Sequence, residues 1–414
     1  MSATDSTADQ DILTSLVVNI EGAGEDLLKD FTVREVMLAE SLLTPGLQTS
    51  VKIQSYIHST PIKNYDVLKG RNIAINISRP ILGKYKFKTD LDVSQTIYRL
   101  GGRSSTNPNA TDNRKMVNRS VEELTLHACD DTLLNDAANL VSKSWKCTTP
   151  SAITAEVLAS CAGAKRLKIE PSDPARDYVA ENKHPFQVVA QQANAALAAG
   201  NDPSFVHFMT YEDLGTHHFR SLKSMSEQDP IVELEYNMVG SSYSIPYSIM
   251  NYTFPCDFDL LSDILNGVGA SGADISSLAI FNPLTGLFSM LGNQAVGCGM
   301  GGGVYKIAMS NQGSAQDQFM CPDFVSTYLQ KRQARMALLE KDKIALRLTV
   351  PWNTIYNVGK VIRIKLYNAE VGTKGFNYGS GDYLITSLIH NIKSGGYSTI
   401  TMDCVSKTVG QGEV

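Results

Sequence analysis

Three histidines could supply metal ligands or an acid–base pair: His207, and the adjacent His217 and His218. The run FVHFMTYEDLGTHHFRSLKSM reads as two strands joined by a loop at Glu212–Thr216, so His207 can meet one of the pair across the hairpin. Neighbouring residues on a strand point to opposite faces, so His217 and His218 cannot both hold one ion without a bulge. Zinc needs further ligands and the sequence shows no third one, so no metal and no cofactor are expected. The seven cysteines, at 129, 147, 161, 256, 298, 321 and 404, are scattered singly with no CxxC pair. An odd, dispersed set in a long chain predicts reduced, mostly buried thiols of a reducing cytoplasm. GxSxG, HExxH and SxxK signatures are absent, so no catalytic residue is expected.

Two glycine clusters resemble phosphate loops and fail on inspection. Gly22-Ala23-Gly24 is followed by Leu27 where a dinucleotide fingerprint needs its third glycine. Gly299-Met300-Gly301-Gly302-Gly303 lacks the Lys-Ser/Thr that would reach phosphates and magnesium. Both read as turns. Lys84, Lys86 and Lys88 alternate with Tyr85 and Phe87, which places the lysines together on one strand face. That pattern fits a solvated face that resists edge pairing, or a patch that touches a partner or passing nucleic acid.

The 414 residues suit two to four domains, and 43% hydrophobic with 19% charged residues is a globular composition. With 37 Lys+Arg against 42 Asp+Glu the net charge is −5, the wrong sign for a protein whose main task is to coat nucleic acid. The polar start MSATDSTADQD predicts a disordered arm over 1–11 and no secretory signal.

From 12 to 130, period-two alternation dominates. Val51, Ile53, Ser55 and Ile57 share a face, as do Ile73, Ile75 and Ile77, and again Leu124, Leu126 and Ala128. Arg103–Lys115 reads as an exposed loop. The character then changes. TLLNDAANLVSKSW predicts a helix through Leu140 and Val141, capped by Asp131 or Thr132; a second helix follows Thr149-Pro150-Ser151, and a third spans Pro185–Ala199. Residues 131–203 are therefore a helical, α+β insert. Strand patterns return at 204–236 and 343–408, where Ile344, Leu346, Leu348 and Val350 alternate, then Ile362, Ile364 and Leu366, with a hairpin turn at Ser394-Gly395-Gly396. Between them, 237–342 is an inserted region ending in a charged amphipathic helix around Phe324–Lys341, and 409–414 is a tail. The expected class is mainly β with an α+β insert: two antiparallel, curled sheets flanking a small helical domain.

Residues 275–305 carry no Asp, Glu, Lys or Arg. Asn282-Pro283 breaks any continuous spanning helix, so a buried or inter-subunit segment is expected and stable membrane insertion is not.

The order of β block, helical insert and β block ending in strand, Gly-Gly turn and strand resembles the central hub protein of contractile phage tail baseplates. It is also similar to the hub part of type VI secretion spike proteins. The likeness rests on RSVEELTLHACDDTLLNDAANLVSKSW, HPFQVVAQQANAAL with FVHFMTYEDLGTHHFRSL, YSIMNYTFPCDFDLLSDILNG, and DYLITSLIHNIKSGGYSTITMDCVS. It implies a non-enzymatic homotrimer with two tail-tube-like β-barrels per subunit, forming a pseudo-sixfold ring in the virion baseplate after assembly in the host cytoplasm. Its partners would be the central spike protein, tail tube or tube-initiator proteins, baseplate wedge proteins and the tape-measure protein, with DNA passing transiently through the lumen. Candidate interface residues are Leu278, Phe281, Leu284, Leu287, Phe288 and Leu291 of the uncharged segment, and the outward Arg347, Arg363 and Lys365. The rival class is a tail-associated cell-wall hydrolase or peptidase.

Overall fold

The computed structural model describes residues 15–21, 31–56, 68–78, 90–106, 121–199, 202–236, 248–256, 277–282, 287–291, 305–309, 345–366, 379–394 and 398–405. The lysines at 84, 86 and 88, both glycine clusters, the tails and the helix expected at Phe324–Lys341 lie outside these residues.

Six strands form the first half: β1 Ser15–Ile20, β2 Phe31–Ser41, β3 Gln48–Tyr56, β4 Asn72–Ser78, β5 Asp90–Thr106 and β6 Val121–Cys129. They pair antiparallel in the order β1-β4-β5-β6-β3-β2. The alternation seen in the sequence sorts them. Val51, Ile53, Ile73, Ile75, Ile77, Leu124, Leu126 and Ala128 are all buried on one face.

The insert follows: α1 Asp131–Ala138, β7 Val141–Thr148, α2 Pro150–Ser160, β8 Leu167–Ile169, β9 Arg176–Lys183, α3 Pro185–Ala195, β10 Phe205–Thr210, β11 Thr216–Ser221 and α4 Leu222–Ser226. Asp130, rather than Asp131 or Thr132, caps α1, its carboxylate accepting the Thr132 N–H at 2.8 Å. The helix stops at Ala138 and does not reach Val141. Val141, Ser142 and Ser144 are weak helix formers, and this segment instead ladders with β9. α3 likewise ends at Ala195, short of the expected Ala199, because the Leu197 backbone exchanges bonds of 2.8 and 2.9 Å with Asp173. A further correction concerns β10 and β11. They pair with each other and, through β11, with β8, so this hairpin belongs to the insert's sheet and not to the strands of 343–408.

The second half contains β12 Glu233–Tyr236, β13 Asn251–Cys256, β17 Ala345–Pro351, β18 Val361–Leu366, β19 Gly381–Lys393 and β20 Thr399–Val405. A separate three-stranded sheet holds β14 Ser277–Asn282, β15 Leu287–Leu291 and β16 Tyr305–Met309. In the second half β13-β17-β20-β19 pair antiparallel, β19 also pairs β18, and β18 takes β12 in parallel. The two halves are one continuous twelve-stranded sheet, because β2 pairs with β19 from Ser41↔Ser387 to Glu35↔Lys393. Among the described residues the ladders close neither half into a barrel, and an isolated bridge, Glu235 to Ser248, spans from β12 toward the start of β13.

Two hydrophobic cores result. The larger runs from Ile20 to Cys404 under the whole twelve-stranded sheet, and the smaller gathers Trp145, Val157, Leu158, Val188, Val189, Phe205 and Phe219 of the insert. The β10–β11 hairpin lies between them: Phe205 and Phe219 serve the insert core, Phe208 and Met209 the main core. At the β2–β19 seam, Leu388 is fully buried while its neighbour Ile389 is 42% exposed. Leu388→Ala should therefore destabilise by about 2–5 kcal/mol, and Ile389→Ala by less than about 0.5 kcal/mol, measured by urea denaturation. Equal effects would contradict the assignment of faces.

Candidate functional site

The register of β10 on β11 sets Phe208 opposite His218 and leaves His207 diagonal to His217. His207 Nε2 lies 3.1 Å from His217 Nδ1, and the two rings stack at 5.3 Å between centroids. His217 Nε2 reaches the Thr132 hydroxyl at 3.1 Å, and that hydroxyl donates to the Asp130 carboxylate at 2.6 Å. The chain has one consistent direction. Thr132 gives its proton to Asp130 and accepts from His217 Nε2–H, so His217 Nδ1 is bare and accepts from His207 Nε2–H. His218 projects to the other face, flat against Phe208 at 4.8 Å and 3.1 Å from the Thr210 hydroxyl. The hairpin thus brings His207 and His217 together and keeps His218 apart, as strand geometry requires. Burial holds all three neutral: His207 falls well below its usual value, His217 drops to about 4 and His218 to about 3. No group of three His, Cys, Asp or Glu suited to a metal occurs among the described residues. His207 and His217 tie the hairpin to the start of α1.

The hairpin's far end makes the most consequential contact. Glu40 follows Val36 and Leu38 on the buried face of β2, and its carboxylate is enclosed. One oxygen accepts the Tyr211 N–H at 2.7 Å and the other the Val358 N–H at 3.0 Å. Tyr211 begins the β10–β11 turn, and Val358 lies in the segment leading to β18, so one side chain joins both half-sheets to the insert. Tyr211 adds a bond from its hydroxyl to the Gln48 carbonyl at 2.9 Å, contacts the Thr49 hydroxyl at 3.1 Å and sets its ring edge-on to the buried His390 of β19. Glycine is required twice here. A Cβ on Gly359 (φ 79°) would lie 2.8 Å from Met225 Sδ and 3.0 Å from Phe208 Cζ, and one on Gly215 (φ 102°) 2.9 Å from Met209 Cε.

Desolvation outweighs the two N–H donors and pushes the Glu40 carboxyl up to about 7, while burial lowers His390 to about 3. The signs oppose. Below about pH 6.5 the unfolded chain binds protons that His207, His217, His218 and His390 refuse, so stability falls as pH drops. Glu40 instead holds a proton in the folded state between its ordinary 4.5 and about 7, so its contribution weakens as pH rises through that window.

The sequence-derived basic residues all lie on the open face of the sheet, and all are paired. Arg347 grips Asp403 with bonds of 2.7 and 3.1 Å, Arg363 grips Asp382 with 2.7 and 2.9 Å, and Lys365 pairs with Glu233. In the uncharged segment, β14 pairs antiparallel with β15, setting Leu278 opposite Leu291 and Phe281 opposite Phe288, with Leu287 opposite Asn282. β16 adds in parallel on the other side, and Leu284 lies outside the described residues. Neither Glu40, Tyr211 nor His390 was singled out by sequence motifs. The available signal was period two, since 36, 38 and 40 share a face and Glu40 is the anomaly on it.

Two predictions follow from this junction. The stability of Glu40→Gln relative to the unaltered protein should be greater at pH 8 than at pH 5 by about 2–3 kcal/mol, read from denaturant midpoints; a pH-independent difference would show that Glu40 stays ionised. Gly359→Ala should lower stability by about 1–3 kcal/mol through the forced left-handed backbone and the contacts with Met225 and Phe208; an unchanged melting temperature would contradict it.

No protein-family model matches the sequence, and no curated protein matches it. Solved structures do. A tail protein from Neisseria meningitidis MC58 aligns over 95% of this chain and 97% of its own, with TM-score 0.57 and 10% identity. The 43 kDa tail protein of prophage MuSo2 from Shewanella oneidensis aligns over the same shares, with TM-score 0.55 and 10% identity. Over 95% of its length this chain is therefore similar in fold to these two tail proteins.

Proposed function

We propose that this chain is the structural hub of a contractile phage tail baseplate, a homotrimer whose pseudo-sixfold ring adapts the sixfold tail tube to a trimeric central spike. The observation that carries this is the shared fold with two phage tail proteins over 95% of the chain, at nearly the full length of each. The sheet adds support, since it divides at β2–β19 into two groups of six strands, as two tube-like units per subunit demand. The first unit comprises residues 12–130; the second draws on β12, β13 and β17–β20, with the Glu235–Ser248 bridge as the start of its closure. Three copies then present six near-equivalent positions, and cyclic closure leaves no unmatched patch.

In this reading the role is mechanical and not catalytic; the hydrolase or peptidase alternative has no specific observation behind it. The partners are the spike, tube or tube-initiator proteins, wedge proteins and the tape-measure protein, with DNA passing only transiently. The site of action is the virion baseplate after assembly in the host cytoplasm. No helix of the described residues is long and apolar enough to cross a membrane. The uncharged β14–β15 hairpin strands, with Leu278, Phe281, Leu287, Phe288 and Leu291 on them and Leu284 between them, serve as a subunit contact or narrow the lumen.

Multi-angle light scattering should give three times the 45.1 kDa chain mass for the chain alone, or that mass plus the mass of the bound spike on mixing with a candidate trimeric spike protein. A monomer under both conditions would refute the hub. Deleting 275–305 should weaken the trimer; an unchanged trimer with normal infectivity would remove that segment from the interface.

A further inference from the structure

The open face of the twelve-stranded sheet carries charge in an unusual order: opposite signs sit side by side across strand after strand. Lys52 of β3 lies 3.6 Å from Glu123 of β6. Glu35 of β2 is directly opposite Lys393 of β19 in the seam register. Arg347 of β17 is opposite Asp403 of β20 and bonded to it, and Arg363 of β18 stands in the same relation to Asp382 of β19. Lys365 of β18 reaches Glu233 of β12. Arg99, beside His127 at the bulge of β5, and the exposed Arg34 of β2, which donates to the Gln54 amide oxygen, stand outside this pattern.

Exposed pairs of this kind contribute little to stability, about 0–1 kcal/mol each, so folding alone gives no strong reason for four salt bridges on one face beside the facing Glu35 and Lys393. Their larger effect is on the field in front of the sheet. A bidentate carboxylate occupies the arginine donors that would otherwise take a phosphate, and each pair cancels to zero net charge. Between the pairs the face is mostly neutral, with Ser50, Thr125, Thr349, Thr399 and Thr401 partly exposed and Met37 and Ile389 exposed.

We infer that this face is a charge-masked wall toward nucleic acid: Lys52, Arg347, Arg363 and Lys365 are each covered by a carboxylate of a neighbouring strand, so a DNA chain meeting them is not held. The inference rests on the proposed hub reading for its biological setting, in which DNA moves past the sheet. Its chemistry is independent of that setting, because the pairs lie within one subunit.

The test is retention of a short DNA duplex by the full chain, followed by fluorescence anisotropy across a salt series. The unaltered protein should give no saturable binding at about 150 mM salt. Combining Glu123→Gln, Asp382→Asn and Asp403→Asn unmasks Lys52, Arg363 and Arg347. Three phosphate contacts should then give a salt slope near −2.7, a rise in affinity of about 20-fold between about 150 and 50 mM salt. Asp382→Asn and Asp403→Asn made singly, each perturbing one exposed pair, should give slopes of about −0.9 and guard against a triple variant that fails to fold. Saturable duplex binding by the unaltered protein at about 150 mM salt would overturn the inference. So would folded single variants, with unchanged circular dichroism and melting, that gain no salt-dependent binding. Neither outcome bears on the trimer, which light scattering decides separately.

Discussion

A single enclosed carboxylate sets the arrangement of this molecule. Glu40 stands on the apolar face of β2 and gives its two oxygens to the backbone of two distant segments, at Tyr211 and Val358. Removing the carboxylate would leave both buried N–H groups unmatched, a loss of about 1–3 kcal/mol each. The apolar neighbours cannot supply that direction. Hydrophobic burial brings the half-sheets and the hairpin together without specifying how they sit, whereas two N–H bonds at 2.7 and 3.0 Å fix which residue of each segment lies where.

The histidine chain complements this. Glu40 anchors the turn end of the hairpin to β2, and His217, through Thr132 and Asp130, anchors its strands to the start of α1. Both anchors are polar, buried and nearly saturated, and both depend on side chains remaining neutral or singly protonated in a dry environment. Opposite pH responses are the natural result of burying an acid and several imidazoles around one hairpin. The core bridged by that hairpin is therefore two cores, with Phe208 and Met209 on one side and Phe205 and Phe219 on the other.

Much of the sheet was legible in the sequence because its open face is wet. One-sided burial makes Ile73, Ile75 and Ile77, or Leu346, Leu348 and Val350, alternate with polar residues, and period two survives translation into strands. The opposition of His217 and His218 was legible for the same reason. What the sequence hid was non-local. Nothing near Phe205–Ser221 reveals that β11 will take β8 as its neighbour, or that β2 will pair with β19 far along the chain. Helix ends were misjudged where a backbone found a better partner, at Val141 on β9 and at Leu197 against Asp173. Arg347, Arg363 and Lys365 were correctly placed facing outward, but alternation along one strand says nothing of the acid on the next.

The turn at the end of the hairpin has a mechanical side. Asp213 and Leu214 adopt φ of 53° and 65° and Gly215 follows at 102°, three left-handed residues in succession. Arg166 donates to the Asp213 carbonyl and Lys168 pairs with Glu212 at 2.7 Å, so β8 and the residue before it brace the bend from the side. Such a corner has no slack. The next residue back, Tyr211, is bonded to Glu40, so the braced corner of the insert and both halves of the sheet share one attachment point and none of the three can shift without disturbing the others.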